Sequence, residues 1–493
     1  MSGAMFNVGN KPGFAGNVSL VLFVAVILHS GHGHAQQPTA NAAPPQPTAS
    51  AFALGDRSQP ADIRADRLEV QDGKGLAIFD GNVKVVQGRT SLETVKLTVS
   101  YAGSPDAGAG NGPDTTTGAN ALAGNIRTIS ADGDVRMNTG NQNVSAASAV
   151  VDMEQSVATL TGSVKLSQGD SAFETEVMDI LFGGDAGQPG DGIRKVLAPG
   201  KVRLSSPRQT AEADSAVVEM AERIANLSGN VIVSDGNGIL NANNLAIEYQ
   251  SGDGEETLPG SNVKRILASG RVRLKSGSQI ADADTLEVRM ADELAVLNGN
   301  VIVNDGQSSI RTNLLNIEFL PDNRDGAQGV GGVRKITAPG RVVLQSKDQT
   351  ASANSAVVDM PRQTATLVGN VRVEQGSSVL TTARLTVSFL RGSGGAKSAP
   401  GGLGGGIRQI DAPGKVRLTS ADQVVTADRA VVRMQENHAY LIGNVVLSQG
   451  KNVVKGCELD FNLATNFAQM KSCPDAGAGR VKMLFTPKSA GNQ

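Results

Sequence analysis

The stretch SGNVIVSDG, residues 228–236, places three apolar residues, Val231, Ile232 and Val233, between the turn-forming pairs Gly229-Asn230 and Asp235-Gly236. That is the signature of a short β-strand, and close copies of it run along the chain. The repeated Gly-x-Val step gives eleven copies, with glycines at 81, 133, 162, 200, 229, 270, 299, 340, 369, 414 and 443. From Gly133 onward the spacing alternates between 29 residues and 38 to 45 residues. One full unit is therefore about 70 residues long and consists of two related halves. Five equal spacings of 29 exclude coincidence.

In all eleven copies the residues two and four places after the glycine are apolar. The seven clearest pairs are Val202 and Leu204, Val231 and Val233, Val272 and Leu274, Val301 and Val303, Val342 and Leu344, Val371 and Val373, and Val416 and Leu418. The residue between them is Lys or Arg in seven copies: Lys84, Arg136, Lys165, Arg203, Arg273, Arg372 and Arg417. Side chains alternate across a strand with period two, so one face is dry and the other wet. The repeat predicts a single continuous apolar wall lined by these pairs.

Composition agrees. The 493 residues include 59 Gly, no Trp and only three Tyr, yet 40% are hydrophobic. Few large side chains are present to fill a thick core, while the apolar content is too high for a disordered chain. A thin, repetitive, all-β structure satisfies both. The formal net charge of −2 gives no basic footprint for nucleic acid.

The N-terminus has the pattern of an export signal: Lys11, the apolar run VSLVLFVAVIL at 18–28, then small residues at Gly33 and Ala35. Residues 1–35 are read as a signal peptide, and residues 36–60, rich in Pro and Ala, as a linker. Eleven apolar residues are too few to span a bilayer comfortably. The expected location of the mature protein is the periplasm.

Three of the four histidines (His29, His32, His34) lie in that signal, leaving only His438. No GxxxxGK[ST], GxSxG, HExxH or CxxC motif occurs, so the sequence offers no nucleotide, nucleophile-elbow or zinc site. No catalytic residue, cofactor or metal is expected. Aspartates recur in one phase, in ADRLEV (65–70), ADSAVVEM (213–220), ADADTLEVRM (281–290) and ADRAVVRM (427–434), with Asn354 at the equivalent place in ANSAVVDM. A carboxylate repeated once per unit, and replaceable by Asn, reads as a corner residue. Five Gly/Pro/Asp-rich segments of differing length, at 102–124, 183–192, 251–261, 321–332 and 391–406, all fall between one unit and the next and read as solvated loops.

The ordered series L.GNV.V..G, A..L.I.Y, I.A.G.VRL and A.AD.AVV.M resembles the OstA-like family, which includes the lipopolysaccharide-transport proteins LptA and the N-terminal domain of LptD and shares its fold with LptC. The ending IGNVVLSQGKNVVKGCELDFNLATNFAQMKS (442–472) with GRVKMLFTPK (479–488) is similar to that of LptA-type chains. The resemblance covers residues 61–486, leaving a tail at 487–493. It implies an elongated OstA-like β-jelly roll, an open trough of about six repeats of ~70 residues. It also implies a bridge that carries lipopolysaccharide from inner to outer membrane, with partners of related β-fold at each membrane. The chain is much longer than a typical bridge protein, as if it held several head-to-tail copies in one polypeptide, and head-to-tail self-association of the whole chain is a further expectation. The competing readings are a sealed structural or adhesive β-solenoid, and a carbohydrate-active β-helix enzyme whose acids would have to cluster at one place.

Two further expectations concern the ends. Edge strands invite pairing, so the edges near Ala65 to Val70 and Val481 to Phe485 are expected to meet the membrane partners. Cys457 and Cys473 flank ELDFNLATNFAQMKS, and a hairpin centred at Thr465 would bring them opposite one another as a disulfide in an oxidising compartment. The alternative is two unpaired thiols on separate strands.

Overall fold

The computed structural model describes residues 61–102, 126–139, 142–183, 193–207, 209–234, 238–249, 263–306, 308–321, 330–390, 406–421, 423–465, 467–472 and 480–484. The expected signal peptide (1–35), linker (36–60) and tail (487–493), and most of the five variable segments, lie outside the described residues. Among the described residues there are thirty strands, one three-residue 3-10 turn and no α-helix. They group into two compact units that divide between Gly270 and Arg271.

In the unit before that boundary, neighbouring strands pair antiparallel, and most are 10 to 13 residues long. Each bends once. The strand Leu76–Gln87 pairs with Thr90–Tyr101 in one register from Leu76↔Ser100 to Asp80↔Lys96, and in a register shifted by one from Val83↔Thr94. Gly81 and Asn82 thus oppose the single residue Val95, a bulge that turns the strand and carries it from one wall to the other. On either side of the bend period two holds, with Ala77 and Phe79 buried before it and Val83 and Val85 after it. The two walls face each other. Between them lies an apolar cavity of about 20 Å³, lined by Ile129, Ala131 and Leu160 of one wall and Leu92, Met137 and Val144 of the other.

The unit after the boundary repeats the plan. Leu294–Asn304 pairs with Ser308–Pro321, and the register shifts between Asn298 and Val301, again at a Gly-Asn step. At its far end Val425 and Leu447 pack with Leu441, Leu459 and Met470 from the facing wall. Each unit has the antiparallel β-jelly-roll fold that the sequence predicts.

A half-unit of about 35 residues has room for about four strands of ordinary length, yet most half-units contain two long strands, each serving both walls. The reason is local. At nine of the eleven Gly-x steps both residues have positive φ, as at Gly81 (81°) and Asn82 (46°), so the backbone bends without leaving the ladder. The two exceptions are Gly200-Lys201 and Gly340-Arg341, where the strand stops. Ile193–Ala198 and Val202–Ser205 are separate strands there, as are Val330–Ala338 and Val342–Ser346.

Candidate functional site

The interior is built from cross-strand rows. Nearest the corner, the residue two places after each repeated glycine is at most 3% exposed: Val202, Val231, Val272, Val301, Val342, Val371 and Val416 all sit in this floor row. Small residues alternate with them, since Val202 pairs with Ala213, Val231 with Ala242, Val301 with Thr312, Val371 with Thr382 and Val416 with Ala427. A bulky residue fits beside a small one, which closes the floor.

One step further from the corner runs a second row, the one that would meet a ligand first. In the first unit Leu166, Phe173, Leu204, Ala211, Val233 and Leu240 are successive cross-strand partners. In the second unit the sequence of partners is Ala281, Val303, Ile310, Leu344, Ala351, Val373, Leu380, Leu418, Val425, Leu447 and Val454, with Leu274 on the preceding strand. All fourteen wall residues expected from the sequence therefore face inward, but at two depths. Leu204, Val233, Leu344 and Leu418 are half-buried, whereas Leu274, Val303 and Val373 are buried.

The residues between them face out, as predicted. Lys84 reaches Glu93 at 2.8 Å, Lys165 reaches Glu174 at 3.0 Å and Arg203 reaches Glu212 at 3.1 Å, all across neighbouring strands on the wet face. The hydrogen bond from Lys84 holds the Glu93 carboxyl below the usual carboxylate range. Ile232 also points outward, 41% exposed, although it is apolar.

Sequence reasoning identified one wall and missed the other. Opposite the floor row stand Leu160, Leu227, Leu297, Leu367 and Leu441, each two residues before a corner glycine, and all but the half-buried Leu367 are buried. It also missed the aromatic at or near the end of five return strands. Tyr101, Tyr249, Phe319 and Phe389 are buried and Phe182 is half-buried, and each backbone amide donates to the turn before the preceding strand, as Tyr249 does to the Arg223 carbonyl at 3.0 Å. Burial pushes the Tyr249 phenol up to about 12. The signal was the recurring ending TVSY, DILF, AIEY, TVSF.

At the extremities the inward rows emerge. Leu68 and Val70, which pair with Phe79 and Ala77, are exposed, as is Met483, which pairs with Val454. Among the described residues the strands Asp62–Arg64 and Arg67–Gln71 pair only with Leu76–Gln87, and Phe467–Lys471 and Lys482–Leu484 only with Asn452–Asn462.

The expected terminal hairpin is present, with Asn462 opposite Phe467 and Glu458 opposite Lys471. Cys457 lies on its first strand and is not a free thiol. Cys473 lies outside the described residues. On the outer face of the same hairpin, His438 contacts Asp460 at 2.7 Å and stacks on Tyr440. Among the described residues no group of three or more His, Cys, Asp or Glu could hold a metal ion, and no helix is long and apolar enough to cross a membrane.

The comparisons with known proteins now bear on this interior. A family described as "LptA/(LptD N-terminal domain) LPS transport protein" matches residues 62–182, 210–319 and 350–467. An uncharacterized protein of Rhizobium meliloti (strain 1021) is 33% identical over 147 residues, 29% of this chain and 75% of the relative. The crystal structure of LptH, the LptA homologous periplasmic component of the lipopolysaccharide transport device of Pseudomonas aeruginosa, is 16% identical. It covers 28% of this chain and 95% of that one, at a TM-score of 0.23. The two intervals between the matched segments, 183–209 and 320–349, contain Gly200 and Gly340, the two corners where the strand stops.

Proposed function

Because the chain belongs to the LptA and LptD N-terminal-domain family of lipopolysaccharide transport proteins, we propose that it is a periplasmic bridge carrying lipopolysaccharide between inner and outer membrane, acyl chains inward along the apolar rows. The observation that supports this reading is the unbroken lining. From Leu166 to Leu240 in one unit, and from Ala281 to Val454 in the other, every cross-strand neighbour in this second row is apolar. Such a surface offers a ligand burial and no directional polar contact.

Energetics suit a carrier. A buried methylene is worth about 0.8 kcal/mol, so a fully enclosed twelve-carbon chain would be held by roughly 10 kcal/mol and would not leave. Half-exposed lining residues such as Leu204, Val233 and Leu344 enclose a chain only in part, which lets it move on. The sequence has no phosphate-binding loop, so direction comes from partners. The strand edges around Leu68 and Val70, and around Met483, have no further strand partner among the described residues and are the surfaces offered to those partners.

The rival reading is a sealed β-solenoid without lipid. It has an observation of its own: the floor row is closed, and the cavity at Leu92 and Met137 holds about 20 Å³, little more than one water-sized sphere. Photo-crosslinking separates the two. A photoreactive residue at Val233 should capture acylated lipid and one at Ile232 should not, although both positions are apolar. Lipid extracted from the purified protein should be lipopolysaccharide by mass spectrometry. Capture at neither position, with no lipid extracted, leaves the solenoid.

A further inference from the structure

We infer that the interior holds two discrete acyl-chain stations, one in each unit, located where the corner is broken at Gly200 and at Gly340; this rests on the lipopolysaccharide-transport reading. At eight of the nine positive-φ corners the glycine is pressed against a side chain of the neighbouring strand, Gly414 being the exception. A Cβ on Gly229 would lie 2.5 Å from Asp214 Oδ2, and one on Gly443 would lie 2.5 Å from Asp428 Oδ2. Contacts of this kind, together with the positive-φ pair, fix the angle between the walls. At Gly200 and Gly340 nothing lies within 4 Å of the corresponding position, and neither residue has positive φ. The partner strand is interrupted as well, at Asp214 between Thr210–Ala213 and Ser215–Glu219, and at Asn354 between Gln349–Ala353 and Ser355–Asp359.

Accessibility changes at these strands. In the first unit Leu92, Leu166 and Phe173 are buried, but the next members of the same row, Leu204, Val233 and Leu240, are half-exposed. The facing wall loosens at the same strands, at Val218 and Ile247. In the second unit Val303 and Ile310 are buried, Leu344 and Leu380 are half-buried on either side of the buried Val373, and Leu367 and Val387 follow on the facing wall; the half-buried row runs on from this opening to Leu418 and Leu447. An unpinned corner lets the walls part, and parted walls leave apolar surface that a hydrocarbon chain covers. The half-buried residues that line each opening are apolar: Leu204, Val233 and Leu240 at the first, Leu344 and Leu380 at the second. The occupant is therefore an acyl chain, and the buried stretches before each opening are crossed without a resting place.

The test uses the full chain and purified lipopolysaccharide. A photoreactive amino acid is placed at Leu204, Val233, Leu344 or Leu380, and in parallel at Leu92, Leu166, Val303 or Ile310, with circular dichroism on each variant. At least tenfold more lipid adduct is expected at the first four. Equal capture in both sets overturns the stations and leaves transport standing, whereas no capture anywhere overturns transport and the stations with it. A bulky residue at a closed position can unfold the chain, so the unmodified protein is also titrated with a dansylated fatty acid. Two sites per chain are expected; one site, or a uniform series of six or more, overturns the inference.

Discussion

Asn444 Nδ2 donates to Asp428 Oδ2 at 2.8 Å, and the same bond joins Asn82 to Asp66, Asn230 to Asp214 and Asn300 to Asp284, always sixteen residues apart. The Asn follows the corner glycine, and the Asp lies on the strand before it or, for Asp66 and Asp214, at the break between two strands. The aspartates that recur once per unit are thus corner braces, which is why an Asn at position 354 can replace one. A carboxylate held on the outside of a bend by the corner amide is placed for geometry.

The brace makes a sharp stability prediction. Gly443→Ala forces a side chain into a backbone with φ of 79° and into contact with Asp428, so it should destabilise by about 2–4 kcal/mol. Gly200→Ala meets neither obstacle and should change stability by less than about 0.5 kcal/mol. Urea unfolding of the two variants checks this. Similar losses at both would mean that the corners are equivalent after all.

Tyr249 predicts a pH dependence. Burial favours the neutral phenol and raises its value to about 12, against about 10 in the unfolded chain. Its contribution is therefore complete below pH ~10 and is lost as pH climbs from there to ~12, a total of about 2–3 kcal/mol. Tyr249→Phe keeps the ring and removes the ionisation, so the difference in unfolding free energy between wild type and variant should shrink between pH 8 and pH 11.5. A constant difference would show the phenol to be wet.

The disulfide proposal has a register attached. Glu458 faces Lys471, so one further step of the ladder sets Ser472, not Cys473, across from Cys457, and the strand Phe467–Lys471 has ended by then. We propose that the Cys457–Cys473 bond forms just beyond the ladder and clamps the hairpin, with a stabilisation of about 3 kcal/mol for a loop of this size. Unfolded, unreduced protein should show no reactive thiol; two would refute the bond.

How much of this was legible beforehand follows from which physical signals are local. The alternation around Val231 and Val233 specifies a wet and a dry face by itself, and the structure keeps that assignment at every copy. The facing wall was harder to see, because Leu227 and Leu297 belong to the same strands and become its lining only once the Gly-Asn step has turned the chain. Strand length was misjudged for the same reason: a glycine reads as a terminator, and here it is a bend. The broken corners were invisible, since APGKV at 412–416 continues as one strand while APGKV at 198–202 does not.

The strand edges carry a prediction about partners. Deleting residues 480–493 removes Lys482–Leu484, which among the described residues pairs only with Asn452–Asn462. The rest of the chain should remain folded by circular dichroism while binding to a membrane partner of related β-fold falls at least tenfold. Unchanged binding would place the contact elsewhere.

Three neighbouring substitutions separate folding from transport. Val231 lies in the closed floor row and is 1% exposed, so Val231→Asp buries a charge and should cost several kcal/mol; its loss of function would say nothing about lipid. The same holds for Val301 and for Val303, which is 2% exposed. Val233 is half-buried and lines the first opening, so Val233→Asp can keep its charge partly hydrated, should cost about 1 kcal/mol, and should still place that charge where an acyl chain would lie. Lipid capture at Leu204 should then fall at least tenfold in a folded protein. Ile232→Asp puts the charge on the outer face, one residue away, and should leave both stability and capture unchanged within error. If Ile232→Asp blocks capture as strongly as Val233→Asp, lipid does not travel on the inner face and the period-two argument for the lining fails at its first step.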